Sequence, residues 1–363
     1  MTAPADTDTT VRPTIAEQVQ AEVDRAIRRG ALHVPPITLS DQSVGVTAKD
    51  VVYSVGTTRL YHYRPRVDEV YRVPVLVVTS LVSKPYILDL TPGQSLVEFL
   101  LDRGFDVFLV DWGVPRHEDR TLRLEDYVLE RIPACVERVH EITGEPDVTI
   151  LGYCLGGTLS AMYGAAFTDA PVRNWAFLTT PVDFTRMGMF STWSDRRYFD
   201  VDRVVDTLGN VPGELIFMSF DMLKPAGRVA GQLRLIERAR DDKFVRAFML
   251  VDRWAADQIP FPGECFRQIT KELFWENKLL RGELELGGRR IDLKAITQPM
   301  LHITAEHDHI VPAAASVDLS SAVGSTDCED VVLRGGHASL VAGGNAKYRL
   351  WPQLERWLAT RSV

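Results

Sequence analysis

The hexapeptide Gly152-Tyr153-Cys154-Leu155-Gly156-Gly157 constrains this chain more than any other stretch of its 363 residues. It follows the β-rich run Val148-Thr149-Ile150-Leu151 and precedes Thr158 to Phe167, which reads as a helix. A strand-to-helix turn this tight thrusts its middle residue out of the sheet, and it closes only where neighbouring backbone can pass close by. Gly152 and Gly156 leave that room, so Cys154 stands at the tip. The helix that follows turns its positive end and its unpaired N–H groups toward the thiol, which favours a thiolate and later an oxyanion. The plain alternative is a buried, inert cysteine in a Gly-rich turn, since cysteine is often buried.

A turn of this kind needs a sheet beneath it, and the sequence supplies one. Strand-like runs occur at residues 73–78, 105–110, 148–151, 175–178, 300–304 and 331–333, with amphipathic stretches such as 124–143 between them. Continuous β-rich runs that alternate with helices indicate a mostly parallel sheet covered on both faces. With the elbow at its centre, the expected architecture is the α/β-hydrolase fold. The alternation breaks between about 185 and 290, a stretch rich in aromatics, methionines and charges that reads as mainly helical, for example over 237–257. The expected organisation is therefore an N-terminal tail and helix over 1–40, sheet domain over 41–184, an inserted helical cap over 185–290, and the rest of the sheet domain over 291–363. Within the first segment, Thr14 and Glu17 have capping-box spacing for a helix that ends at Gly30, with a linker at Pro35 and Pro36.

The partners of a nucleophile in this fold follow it in the order acid, then histidine. Asp308 lies just past the strand that ends at Thr304, where such sheets place active-site groups. Glu306 is its rival, and a solvated turn aspartate is the alternative reading. His337, between Gly335-Gly336 and Ala338, sits on a loop after the strand over 331–333. Of eight histidines it alone has both the order and the loop; His302, His307 and His309 read as strand or turn residues. The expected triad is Cys154, His337 and Asp308: the imidazole takes the thiol proton, and the carboxylate fixes its tautomer. The oxyanion hole is expected from the backbone N–H of Leu155 and of Val82, in the loop Leu81-Val82-Ser83 after the first strand.

Composition narrows the function classes. A net charge of −8, from 41 basic and 49 acidic side chains, argues against a general nucleic-acid binder. There is no apolar run long enough for a membrane span, and the polar N-terminus lacks a secretory pattern. Cys135, Cys154, Cys265 and Cys328 are scattered, which speaks against a disulfide framework or a zinc site and for a cytoplasmic protein without metal or cofactor.

With these residues in view, the chain resembles the polyhydroxyalkanoate synthases, whose G-x-C-x-G-G box has cysteine in place of the lipase serine. The segments Lys84-Pro85-Tyr86-Ile87-Leu88-Asp89-Leu90, Phe108-Leu109-Val110-Asp111-Trp112-Gly113, Leu124-Glu125-Asp126-Tyr127 and Thr180-Pro181-Val182-Asp183-Phe184 also match, as do Gly282-Glu283-Leu284, Asp308-His309-Ile310-Val311-Pro312 and Gly335-Gly336-His337. Ser83 departs from the pattern, standing where many members have asparagine. In length the chain is similar to the short catalytic subunits of the two-component classes, which work with a separate activating subunit. The resemblance implies polymerisation of 3-hydroxyacyl-CoA, with 3-hydroxybutyryl-CoA the expected monomer, through a thioester on Cys154, with coenzyme A leaving and no resident cofactor. It also implies a homodimer associated with cytoplasmic polyester granules. Apolar cap residues such as Phe217, Met218, Phe220, Met222 and Leu223 then either guide a growing polyester or pack as core, with core packing the first reading of each. A thioesterase or ester-cleaving depolymerase on the same fold is the alternative activity, and a non-catalytic granule-surface scaffold the alternative class.

Overall fold

The computed structural model describes residues 44–363, so the expected helix over 14–30 and the Pro35-Pro36 linker lie outside the described residues. Eight strands form the main sheet: β1 (Lys49–Val55), β2 (Thr58–Tyr63), β3 (Val75–Val78), β4 (Val107–Asp111), β5 (Val148–Tyr153), β6 (Val172–Leu178), and, after a long helical stretch and a small hairpin of β7 (Leu284–Leu286) and β8 (Arg289–Ile291), β9 (Met300–Ala305) and β10 (Cys328–Leu333). Their spatial order is β1-β2-β4-β3-β5-β6-β9-β10. Every pair from β4 to β10 is parallel, while β1–β2 and β2–β4 are antiparallel.

The central strands carry the continuous apolar runs that the sequence displays because both faces are covered. On one face lie Leu76, Val78, Phe108, Ile150 and Phe177, packed with α2 (Ile132–Thr143) and α3 (Leu155–Ala166). On the other lie Val75, Val77, Leu109, Leu151 and Ile303, packed with α1 (Leu96–Asp102) and the closing helix α4 (Ala346–Ala359). Each fully buried Leu, Ile, Val or Phe contributes about 1.5–3 kcal/mol, which makes the sheet a firm base for the loops at its carboxyl edge.

The antiparallel β1–β2 hairpin is the main element absent from the sequence reading. Its burial alternates or is shallow, as expected for antiparallel strands with one wet face, so it gives no continuous apolar run. Between β6 and β9 the chain is mostly helical, with helices over Met189–Trp193, Val201–Leu208, Gly213–Met222, Asp242–Ala256 and Gly263–Gln268. Met187, Ile216, Phe261 and Ile269 from this stretch join the core beside α3. The helix expected over 237–257 is present as Asp242–Ala256, starting later than expected because a separate helix, Pro225–Glu237, ends just before it. Arg238 stacks its guanidinium 4.0 Å from the Phe244 ring across the break. Residues 224–249 fall outside the compact sheet-bearing unit that includes residues 44–223 and 250–363. Core packing fails for Met218 and Met222, which are exposed, whereas Phe220 packs against the core and against Phe190.

Candidate active site

Cys154 sits between β5 and α3 with φ 56° and ψ −130°, outside the ordinary regions for an L residue. Three glycines make this possible. A Cβ on Gly152 would stand 2.4 Å from the Cα of Gly157, and one on Gly156 would stand 2.3 Å from the Val78 carbonyl oxygen and 2.4 Å from that of Thr79. Gly157 is equally constrained, because a Cβ there would lie 1.9 Å from the Thr180 hydroxyl oxygen. Substituting Gly156 by alanine is expected to cost about 3 kcal/mol, since backbone atoms cannot yield as a flexible side chain can. Urea unfolding checks it, and an unchanged midpoint would contradict the close approach.

The Cys154 N–H donates to the Leu178 carbonyl at 2.9 Å, which ties the elbow to β6. Leu155 opens α3, so its N–H has no acceptor within the helix. The loop after β3 is held from several sides. Trp112 Nε1 donates to the Thr79 carbonyl at 2.8 Å, the Thr79 hydroxyl donates to the Val110 carbonyl at 2.9 Å, and the Ile259 N–H donates to the Val82 carbonyl at 3.2 Å. The Val82 N–H has a long 3.5 Å contact with the Ser80 hydroxyl, a bond weak enough to be exchanged for a better acceptor.

His337 and Asp308 come together as the sequence order demands. His337 Nδ1 lies 2.7 Å from Asp308 Oδ2, and both side chains are buried. The other carboxylate oxygen, Oδ1, accepts the N–H groups of Ile310 and Val311, each at 2.9 Å, so the turn fixes the carboxylate before it fixes the histidine. Glu306 is exposed on the same turn, 3.8 Å from the exposed His307, and is no rival. His302 is engaged with Asp330 at 2.8 Å on β9–β10, away from the elbow. The Cys154 side chain is near enough to the His337 ring to act on its charge, alongside Asp308. Burial works against a charge on its ring. The carboxylate of Asp308, the Cys154 sulfur and the hydrogen bond to Asp308 outweigh burial and raise the imidazole to about 10. The ring of Tyr153 packs 5.2 Å from that of His337, and its hydroxyl donates to the His337 carbonyl at 3.4 Å.

A family model described as alpha/beta hydrolase fold matches residues 74–341, and one described as poly-beta-hydroxybutyrate polymerase (PhaC) N-terminus matches residues 39–100. A poly(3-hydroxyalkanoate) polymerase subunit PhaC of Allochromatium vinosum is 37% identical over 356 residues, 97% of this chain and 99% of that one. The chain belongs to the poly(3-hydroxyalkanoate) polymerase family. The subunit PhaC of Haloferax mediterranei is 38% identical over 90% of this chain, which spans 66% of that relative's length. Among solved structures, a monoacylglycerol lipase of Paleococcus ferrophilus superposes with a TM-score of 0.52 at 15% identity, over 83% of this chain and 99% of that one. A thermophilic esterase of Thermogutta terrifontis gives 0.50 at 14%, over 87% and 99%. These last two share the α/β-hydrolase fold.

In this polymerase-family chain the histidine's proton also affects stability. A ring near 6.5 when unfolded and about 10 when folded binds more protons in the folded state throughout that interval. Its stabilising contribution is therefore complete below pH 6.5 and is lost as pH rises toward 10. Wild type should lose on the order of 2–4 kcal/mol more between pH 7 and pH 10 than His337→Gln does, read as the difference in urea midpoints at the two pH values. Parallel pH dependence in both proteins would contradict a protonated buried ring.

Sequence reasoning missed the supports of the site. Thr180, which Gly157 must clear, is one. Asn277 is another: it adopts φ 46° and donates from Nδ2 to Asp183 Oδ1 at 3.0 Å, pinning the turn after β6. The signal present was the motif Thr180-Pro181-Val182-Asp183-Phe184, but its partner lies 94 residues away. Among the described residues, no helix is long and apolar enough to cross a membrane.

Proposed function

We propose that this chain is the catalytic subunit of a poly(3-hydroxyalkanoate) polymerase, which transfers 3-hydroxyacyl groups from coenzyme A through a covalent thioester on Cys154. The observation that carries the reading is a cysteine, not a serine, on the strained elbow of a chain in the polymerase family. In the first half-reaction the Cys154 sulfur attacks the acyl-CoA carbonyl, the oxyanion rests on the N–H groups of Leu155 and Val82, and the His337 proton passes to the departing coenzyme A thiolate. In the second, His337 takes the proton of a 3-hydroxyl, and that oxygen attacks a thioester carbonyl to form the ester bond. Asp308 holds the ring in the tautomer that allows both steps.

A thiolate suits a polymerase. Exchange between two thioesters is nearly balanced in free energy, so the chain stays activated on Cys154 between additions. Water would end the chain by hydrolysis, and the helical stretch over 185–290 is the device proposed to exclude it. By the same family reasoning the subunit works with a separate activating subunit, as a dimer, at the surface of polyester granules. The test is coenzyme A release from 3-hydroxybutyryl-CoA with sizing of the product, by the chain alone and with the subunit encoded beside it. High-mass polyester is the expected result. Release of free 3-hydroxybutyrate alone would make the protein a thioesterase.

A further inference from the structure

On the sheet face that packs α1 and α4, β2 presents Arg59, Tyr61 and Tyr63 at alternate positions. With Lys49, Lys84, Tyr86 and Arg116 they line a cavity of about 470 Å³. That size is in the range of small-molecule sites. Four of its charged lining residues are cations and one is an anion, Asp111, in a chain whose net charge is −8. Asp111 is already engaged, accepting the Tyr61 hydroxyl at 3.0 Å and the Gly113 N–H at 2.9 Å. Arg59 makes no ion pair among the described residues. Lys84 meets Asp257 at 2.8 Å and Arg116 meets Glu118 at 3.3 Å, both part-exposed pairs of small worth that an incoming anion can replace. Lys49 is more enclosed, 3.9 Å from Asp89 and 5.2 Å from the Tyr63 ring centre.

The cavity is joined to the elbow. Arg59 pairs with Asp111 in the β2–β4 register, while Val78 pairs with both Val110 and Gly152. The charged mouth and Cys154 are therefore at the same edge of the sheet, three strand spacings apart, or about 14 Å. The loop from Thr79 to Lys84 connects them: it touches the elbow at Gly156, carries Val82, and ends as a wall of the cavity.

We propose that this cavity binds the phosphorylated nucleotide end of the acyl-CoA substrate, with the thioester arm running along residues 79–84 to Cys154. The proposal rests on the polymerase reading above for its ligand. Arg59 offers a bidentate fork to a phosphate, Arg116 and Lys84 add charge at the mouth, and the part-exposed rings of Tyr61 and Tyr86 receive the base.

The first test is calorimetric titration of adenosine 3′,5′-bisphosphate into the full chain, compared with Arg59→Glu and Arg116→Glu. Both side chains are exposed, so the variants should melt like wild type. The bisphosphate is expected to bind wild type and to bind each variant at least about tenfold more weakly. No binding to wild type, or equal binding to all three, overturns the proposal. The second test compares thioesters in turnover. For Arg59→Glu, KM for 3-hydroxybutyryl-CoA should rise about tenfold, while KM for the N-acetylcysteamine thioester, which has no nucleotide, should hardly move. A rise for both, or for neither, overturns the assignment. Should wild type turn over neither thioester while bisphosphate binding still depends on Arg59, the polymerase reading falls and the nucleotide site stands.

Discussion

Cys154→Ala is expected to lose at least about 10³-fold in coenzyme A release from 3-hydroxybutyryl-CoA while remaining folded. The nucleophile is the only atom on the elbow that can hold the acyl group, and no second thiol can substitute for it. Cys135 and Cys265 are buried, with burial pushing the Cys135 thiol up to about 12 and that of Cys265 up as well, and Cys328 opens β10 at the opposite end of the sheet from the elbow. Alanine keeps the Cβ that the strained turn already accommodates, so the thermal midpoint should change little. Cys154→Ser is expected to separate the two half-reactions. A serine ester lies downhill from a thioester, so any acyl group that reaches the hydroxyl stays there, visible as an added acyl mass with no polymer. Thiol titration and intact-mass measurement check both variants, and Cys154→Ala that still releases coenzyme A at the wild-type rate would remove Cys154 from the reaction.

Asp308→Asn is expected to lower kcat by about 10³–10⁴-fold with little change in stability. The two backbone donors of Ile310 and Val311 face Oδ1, and an amide oxygen there still accepts them. The change falls on the other atom. Where Oδ2 now accepts from His337 Nδ1 at 2.7 Å, an amide nitrogen would donate instead and force the proton onto Nε2. The ring then has no lone pair facing Cys154 or a hydroxyl, and nothing offsets burial of an imidazolium. The pH profile of kcat carries the distinguishing signature: the variant should lose the limb that belongs to the histidine, whereas a merely structural role would leave the profile in place at reduced height. Asp308→Ala should be less active still and less stable, because it leaves the Ile310 and Val311 N–H groups buried without an acceptor.

The parts of the site readable from the sequence are those whose reasons are local. Gly152 and Gly156 have to be glycine because a Cβ on either would stand within 2.5 Å of other backbone atoms, and the strand before and helix after announce themselves in adjacent residues. The central strands were legible because burial on both faces leaves only apolar residues, as in β3, β5 and β9. The antiparallel strands β1 and β2 have one face only partly covered and carry no such continuous run, which is why they stayed hidden. The start of the helix at Asp242 and not at 237 was hidden for another reason: the charged residues over 238–241 suit an exposed helix as well as a turn.

The choice between Asp308 and Glu306 shows where sequence reasoning stops. Both are carboxylates on one turn after β9, and both precede His337. Only the path of the turn makes one buried and aimed at Nδ1 while the other faces solvent. The same holds for Asn277 with Asp183 and for Thr180 against Gly157, pairs set by how elements far apart in the chain pack. The sequence by itself determined the nucleophile, its elbow, the order of its partners and the parallel sheet that carries them, because each is written in spacings of a few residues. The tertiary structure alone decided which carboxylate serves, what holds the loop after β3, and that four cations and three tyrosines converge beside it, because distances between segments follow from packing and not from separation along the chain.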